Sequence, residues 1–197
     1  MTCILAYVDK ESVVHIAGDS AGTDVKRHTR VDLSSKKIFR HGNMLMGYTT
    51  SFRMGQILEN CLEPPERKEG LTDYQYLVKQ FVPALKKLYT DEGYMLATEK
   101  EGGTFIIGWN GALYEIEDDF AVLPQSNCFT SCGSGTSQAK AAFMALLEHG
   151  VVDKIGAEAA LRSVLDITSR FNITVSGRID YLNDAEPNFQ SLSQATK

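Results

Sequence analysis

No run of apolar residues in the chain approaches the roughly 20 that a membrane-spanning helix needs, and its first residues lack the basic-then-apolar order of a secretory signal. A soluble, cytoplasmic protein with no membrane partner is therefore expected. The sequence also has no CxxC pair. Cys3, Cys61, Cys128 and Cys132 stand apart among apolar or small neighbours, which reads as four reduced core thiols, with no metal among them. There is no glycine-rich loop ending in Lys-Ser or Lys-Thr, so ATP hydrolysis by the phosphate-loop route is not expected, and no cofactor is expected. Positive charge is in deficit, with 20 Lys and Arg against 25 Asp and Glu and a net charge of −5, which argues against nucleic acid as the main partner. Internal repeats and low-complexity linkers are missing, and residues 191–197 read as a loose end.

Core-forming residues are plentiful: 43% of the 197 residues are hydrophobic, enough for a single domain over residues 1–197. The β-prone runs at 3–8 and 13–17, parted by Asp9-Lys10-Glu11-Ser12, predict a hairpin. A second strand pair is expected at 37–39 and 43–47 around Arg40-His41-Gly42. Met54, Ile57, Leu58, Cys61 and Leu62 then follow helical spacing until Pro64-Pro65. Thr72-Asp73-Tyr74-Gln75 has the form of a capping box for the helix carrying Leu77, Phe81, Leu85 and Leu88, which Pro83 is expected to kink or divide. Strand patterning returns at 103–109, 112–116 and 128–131, with Asn110-Gly111 as a tight hairpin turn. Glu115 to Asp119 reads as solvated surface. Two more amphipathic faces follow, one on Ala139, Phe143 and Leu146 ending at Gly150, the other on Ala160, Leu161, Val164 and Leu165, before a short strand-like tail. Segregated runs of this kind predict an α+β fold in which two antiparallel sheets pack face to face between helical pairs.

The chemistry-bearing candidates lie near the start. A threonine hydroxyl needs a base within hydrogen-bond reach, and a free α-amine on the same residue, with an ordinary pKa of roughly 7.7–8.0, is one. Removal of Met1 would give Thr2 that amine. Asp19, in a Gly18-Asp19-Ser20 turn, and Lys37 are candidate partners. Between residues 26 and 41 the chain is locally basic, with Lys26, Arg27, Arg30, Lys36, Lys37 and Arg40 against Asp32, and most of this reads as a solvated loop. Lys37 is the exception, because it precedes apolar Ile38-Phe39 and is expected to point inward.

Over nearly its whole length the sequence resembles the amino-terminal-nucleophile (Ntn) hydrolases of the proteasome β-subunit and HslV type, a family of threonine peptidases. Thr2-Cys3-Ile4 is similar to their mature start, and Ile16-Ala17-Gly18-Asp19 to their Ala-Gly-Asp motif. Lys36-Lys37-Ile38 is similar to their lysine segment, Met44-Leu45-Met46-Gly47 to the strand ending in their oxyanion glycine, and Cys132-Gly133-Ser134-Gly135 to their Gly-Ser-Gly turn. The resemblance implies a four-layer αββα sandwich and peptide-bond hydrolysis by Thr2. It further implies that Lys37 sets the charge beside Thr2, Asp19 fixes Lys37, the Gly47 amide stabilises the oxyanion, and Ser134 orients the amine. Peptide or unfolded-protein substrates are implied, as are a homo-oligomeric ring, hexameric or heptameric and stacked as a double ring, and a separate AAA+ ATPase as unfoldase.

Two departures from the family pattern stand out. Asn172 occupies the place of an Asp ahead of Ser176-Gly177, which leaves Ser176 as a supporting residue and implies weak turnover. The interval from Asp19 to Lys37 is slightly long, which keeps Lys36 as the alternative to Lys37. Two other functions stay open: a non-catalytic ring or interaction protein of the same fold, and an Ntn amidase for small amides, which would use Cys3 after loss of Thr2.

Overall fold

The computed structural model of the protein describes residues 2–24, 29–95 and 102–185. Met1, Lys26, Arg27 and the end from residue 191 lie outside the described residues. In one antiparallel sheet β1 (Cys3–Val8) lies between β10 (Phe129–Gly133) and β2 (Val14–Asp19), with β11 (Ile179–Asn183) beyond β2. The second sheet runs in chain order through β5 (Ile38–His41), β6 (Met44–Tyr48), β7 (Phe105–Trp109), β8 (Ala112–Ile116) and β9 (Val122–Pro124). A separate hairpin pairs β3 (Ala21–Asp24) with β4 (Thr29–Asp32).

Strand alternation explains how both faces of each sheet are buried. Along β1, Cys3, Leu5 and Tyr7 join one apolar cluster while Ile4 and Ala6 join another, because successive side chains leave a strand on opposite faces. The Cys3 face packs against Ala139 and Phe143 of α4 (Thr136–Glu148), Val152 of α5 (Val151–Ile155), and Leu161, Val164 and Leu165 of α6 (Ala157–Phe171). The Ile4 face, with Val14 and Ile16, meets Ile38, Leu45, Ile106 and Leu113 of the other sheet. That sheet's far face, with Met46, Phe105 and Ile107, covers α1 (Phe52–Asn60), α2 (Asp73–Tyr76) and α3 (Val82–Asp91). Each Leu or Ile sealed in this way contributes about 1.5–3 kcal/mol.

Several expected local signals are present. Thr72 and Gln75 form a reciprocal capping box, with Gln75 N–H donating to Thr72 Oγ1 and Thr72 N–H to Gln75 Oε1, both at 3.2 Å. Asn110 and Gly111 have φ of 51° and 70°, the left-handed pair that a two-residue hairpin turn requires. The expected division falls just ahead of Pro83, which sits in the first turn of α3. A π-helical stretch, Leu77–Phe81, precedes it, and Val82 N–H donates to Leu77 O, so the backbone absorbs the ring one turn earlier.

Other expectations change. The turn of the second hairpin is Gly42-Asn43, since His41 pairs with Met44. The β3–β4 hairpin, whose second strand is exposed, short α5 and β9 lacked the apolar periodicity that announces an element. Glu115 is not solvated surface: it lies in β8, its carboxyl pushed up by burial, and accepts from Thr130 Oγ1 at 3.4 Å.

The cysteines also divide. Cys3 and Cys132 are buried, Cys61 is half-buried and Cys128 is exposed, so the reading of four core thiols is corrected for Cys128. Burial pushes the Cys3 thiol up to about 12 and the Cys132 thiol upward as well. Cys128 should therefore react first with an aromatic disulfide reagent under native conditions, with Cys3 and Cys132 labelled only on unfolding. Peptide mapping after timed quenching checks the order.

Candidate active site

Four strand ends of the first sheet meet where Thr2 enters β1. The register places Cys3 opposite Gly133, the last residue of β10, while Asp19 ends β2 opposite Ile179, the first residue of β11. Lys37 reaches the same point from the other sheet, immediately ahead of β5. Local sequence thus sets the meeting: Cys3 N–H donates to Asp19 Oδ1 at 2.8 Å, which ties the start of β1 to the end of β2.

Lys37 Nζ donates to Thr2 Oγ1 at 2.9 Å, to Asp19 Oδ2 at 3.0 Å and to Ala21 O at 2.7 Å. Three acceptors meet the three ammonium protons, which is how a buried lysine is tolerated. The Lys37 and Asp19 side chains are 0% and 1% exposed. Burial pulls the Lys37 ammonium below its usual pKa, against the opposing pull of Asp19. Lys36 is exposed, so of the two alternatives Lys37 is the one in contact with Thr2.

The carbonyl side of Thr2 is held by a second group. Ser134 Oγ donates to Thr2 O at 3.2 Å and meets Thr174 Oγ1 at 2.7 Å, and Thr174 Oγ1 contacts Asn172 Oδ1 at 2.6 Å. Asn172 Nδ2 donates to Ser134 O at 2.7 Å, a bond that a carboxylate at this position has no proton to make. Asn172 therefore ties the end of α6 to the Ser134 turn. Ser176 N–H donates to Asp19 Oδ2 at 3.4 Å, while its Oγ is buried without a hydrogen-bond partner among the described residues. Close approach requires glycine at 133, where φ is +99° and a methyl group would sit 2.2 Å from Thr2 O.

Gly47 does not join this group. It lies in β6 between Ile38 of β5 and Ile106 of β7. Because Tyr48 N–H donates to Lys37 O and Thr49 N–H to Thr104 O, the alternation of an antiparallel ladder directs the Gly47 amide toward β7. Its lack of a side chain serves packing, since a methyl group there would lie 2.6 Å from Ile4 Cγ2 and 2.9 Å from Ile16 Cδ1. The expected oxyanion role is thereby corrected: this amide belongs to the sheet.

The turn that follows has a different character. Thr50 has φ of 70°, and Ser51 N–H donates to Thr49 O at 2.8 Å, closing a γ-turn before Ser51 caps α1. The Thr50 N–H has no backbone acceptor among the described residues. Thr49 adjoins the site, its Cγ2 lying 3.0 Å from a methyl group built on Gly133.

Cys3 takes no part. It faces the α4–α6 side of β1, with Sγ 3.6 Å from Ser131 Oγ, whereas Thr2 Oγ1 meets Lys37. A chain that began at Cys3 would still carry its thiol on the helical side.

No family model matches the chain, and no curated protein matches its sequence. Solved structures do match. BPH of Thiobacillus denitrificans in complex with epoxomicin superposes with a TM-score of 0.75 at 17% identity, covering 92% of this chain and 97% of that one. HslV from Trypanosoma brucei superposes with a TM-score of 0.63 at 21% identity over 92% and 98% of the two chains. The fold is shared with BPH and HslV. The Anbu complex of Pseudomonas aeruginosa, described as a helical assembly, superposes with a TM-score of 0.58 at 18% identity over 93% and 80%.

Within this HslV-type fold the structure brings together Thr2, Asp19, Lys37, Ser134 and Ser176 and adds three groups that sequence reading missed. Ala21 contributes only a carbonyl, which no side-chain pattern announces. Thr174 looked like an ordinary loop residue. Thr50 had one usable signal, its place just ahead of the helix cap Ser51. Replacing Thr174 by valine keeps the shape but removes the hydroxyl between Asn172 and Ser134. The expected cost is about 1–3 kcal/mol of stability, read from urea unfolding.

Proposed function

We propose that the protein is a threonine peptidase of the proteasome-like class, active after removal of Met1. The observation that carries this reading is the Lys37 ammonium donating at once to Thr2 Oγ1 at 2.9 Å and to Asp19 at 3.0 Å inside a buried site. With Met1 attached, the Thr2 nitrogen is an amide and has no basic lone pair. Once free, it takes the hydroxyl proton, directly or through a water, as Oγ1 bonds to the substrate carbonyl carbon. Lys37 disfavours a second positive charge on the amine and favours the developing alkoxide. The Thr50 N–H is the candidate oxyanion donor. Loss of one such donor typically costs about 100- to 1000-fold in rate. The amine then passes its proton to the departing peptide nitrogen, leaving an ester on Thr2. Attack by water, with the amine again as base, releases the acid. Ser176, whose buried hydroxyl lacks a partner among the described residues, is suited to accept from the amine in its ammonium form, and Ser134 holds the Thr2 carbonyl.

The three apolar clusters support a four-layer αββα sandwich. By likeness to the HslV-type fold, the assembly is a homo-oligomeric ring enclosing the nucleophiles in the cytoplasm, fed with unfolded chains by a separate AAA+ ATPase. Purified protein should have the mass of a chain beginning at Thr2, hydrolyse fluorogenic peptides, and lose that activity in Thr2→Ala. A chain that keeps Met1 and hydrolyses no peptide would favour the non-catalytic ring.

A further inference from the structure

In the peptidase reading, on which this inference rests, the scissile carbonyl carbon meets Thr2 Oγ1. The side chain of the residue bearing that carbonyl must then occupy the space beside Thr2 and Lys37. One aromatic ring already reaches there. Phe52, the first residue of α1, holds its ring centroid 5.9 Å from Lys37 Nζ, within range of a cation–π contact. The same ring leans on β3, since a methyl group built on Gly22 would lie 3.3 Å from Phe52 Cζ and 3.5 Å from Cε2. Phe52 thus spans from α1 to β3 beside the ammonium that holds the Thr2 hydroxyl.

Two further facts set this ring apart from core. It remains 40% exposed, whereas Met54, Ile57 and Leu58 of the same helix are fully buried. Its backing is also fixed: Ala21, next to Gly22, gives its carbonyl to Lys37 Nζ at 2.7 Å, so β3 is pinned to the site that the ring adjoins. A large incoming side chain would have to displace the ring from both Lys37 and Gly22. A methyl or hydroxymethyl group would not.

We infer that Phe52 narrows the subsite for the acyl-side residue, so that the protein cleaves after small residues such as Gly, Ala and Ser. Hydrophobic pockets separate side chains by about 10- to 200-fold per methylene, and loss of a whole ring should exceed the low end of that range.

The test uses the purified full-length protein with fluorogenic peptide amides that differ only in the acyl residue, Ala, Leu or Phe. Wild type should favour Ala over Leu by about 10-fold or more in kcat/KM. In Phe52→Ala the Leu-to-Ala ratio should rise by at least about 10-fold, and in Phe52→Trp it should fall. Because the ratio is internal to each variant, a general loss of activity does not mimic the effect. The Trp variant keeps the test decisive if the Ala variant fails to fold. Equal cleavage after Ala and Leu by wild type, or a ratio that Phe52 substitutions leave unmoved, would overturn the subsite and leave the peptidase reading standing. Failure of wild type to cleave any of the three would overturn both.

Discussion

Replacing Lys37 by methionine is expected to lower peptide hydrolysis by about 1000-fold or more and to destabilise the fold by roughly 3–5 kcal/mol. The two effects have one origin. Lys37 and Asp19 are both sealed from solvent, and Asp19 without its partner keeps, among the described residues, the amides of Cys3 and Ser176 to offset a buried negative charge. Methionine fills the volume, so the cavity contribution is small and the unpaired carboxylate dominates. A second substitution separates stability from chemistry. Adding Asp19→Asn removes the orphaned charge and should restore most of the unfolding free energy, measured in urea, without restoring kcat/KM. A double variant that regained activity would show that the ammonium is structural.

Gly133→Ala should be as damaging, from a backbone position. An added Cβ would lie 2.2 Å from Thr2 O and 3.0 Å from Thr2 C, which are main-chain atoms with no rotamer to escape into. The residue also has φ of +99°, a region that alanine enters only at a cost of about 1–2 kcal/mol. Overpacking adds roughly 1–3 kcal/mol, and displacing Thr2 by about 1 Å is expected to cost about 100-fold in rate. Gly42→Ala is the matched control. It has φ of +55° but nothing within 4 Å of the added atom among the described residues, so the conformational cost dominates and activity should be retained. Parallel urea curves and kcat/KM for the two variants check the contrast.

What was legible in the sequence follows from where the physics is local. The Thr72 capping box and the Asn110-Gly111 turn are decided by a few adjacent residues, and both appear in the structure. The inward placement of Lys37 was readable because apolar Ile38-Phe39 carries it into the sheet. The β3–β4 hairpin was not readable. Its second strand is exposed at every residue and shows no alternation, and only pairing with β3 makes it a strand. Gly47 illustrates a subtler failure. The family resemblance implies an oxyanion role for this glycine, yet here its bareness accommodates Ile4, Ile16 and Ile38 between the sheets. An amide next to Thr49 that has no backbone acceptor among the described residues belongs to Thr50, in a conformation where glycine is the usual resident and threonine gives no warning. Asn172, read from sequence as the loss of an acid, instead makes a bond to Ser134 O that the acid could not.

The central claim is that Thr2 acts as an amino-terminal nucleophile, and covalent labelling tests it most directly. Purified protein would be incubated with a peptide epoxyketone and the modified residue located by tandem mass spectrometry. The account predicts one adduct per chain, on a chain that begins at Thr2, and none in Thr2→Ala. Chains that retain Met1 and carry no adduct on Thr2, or an adduct that persists in Thr2→Ala, would contradict it.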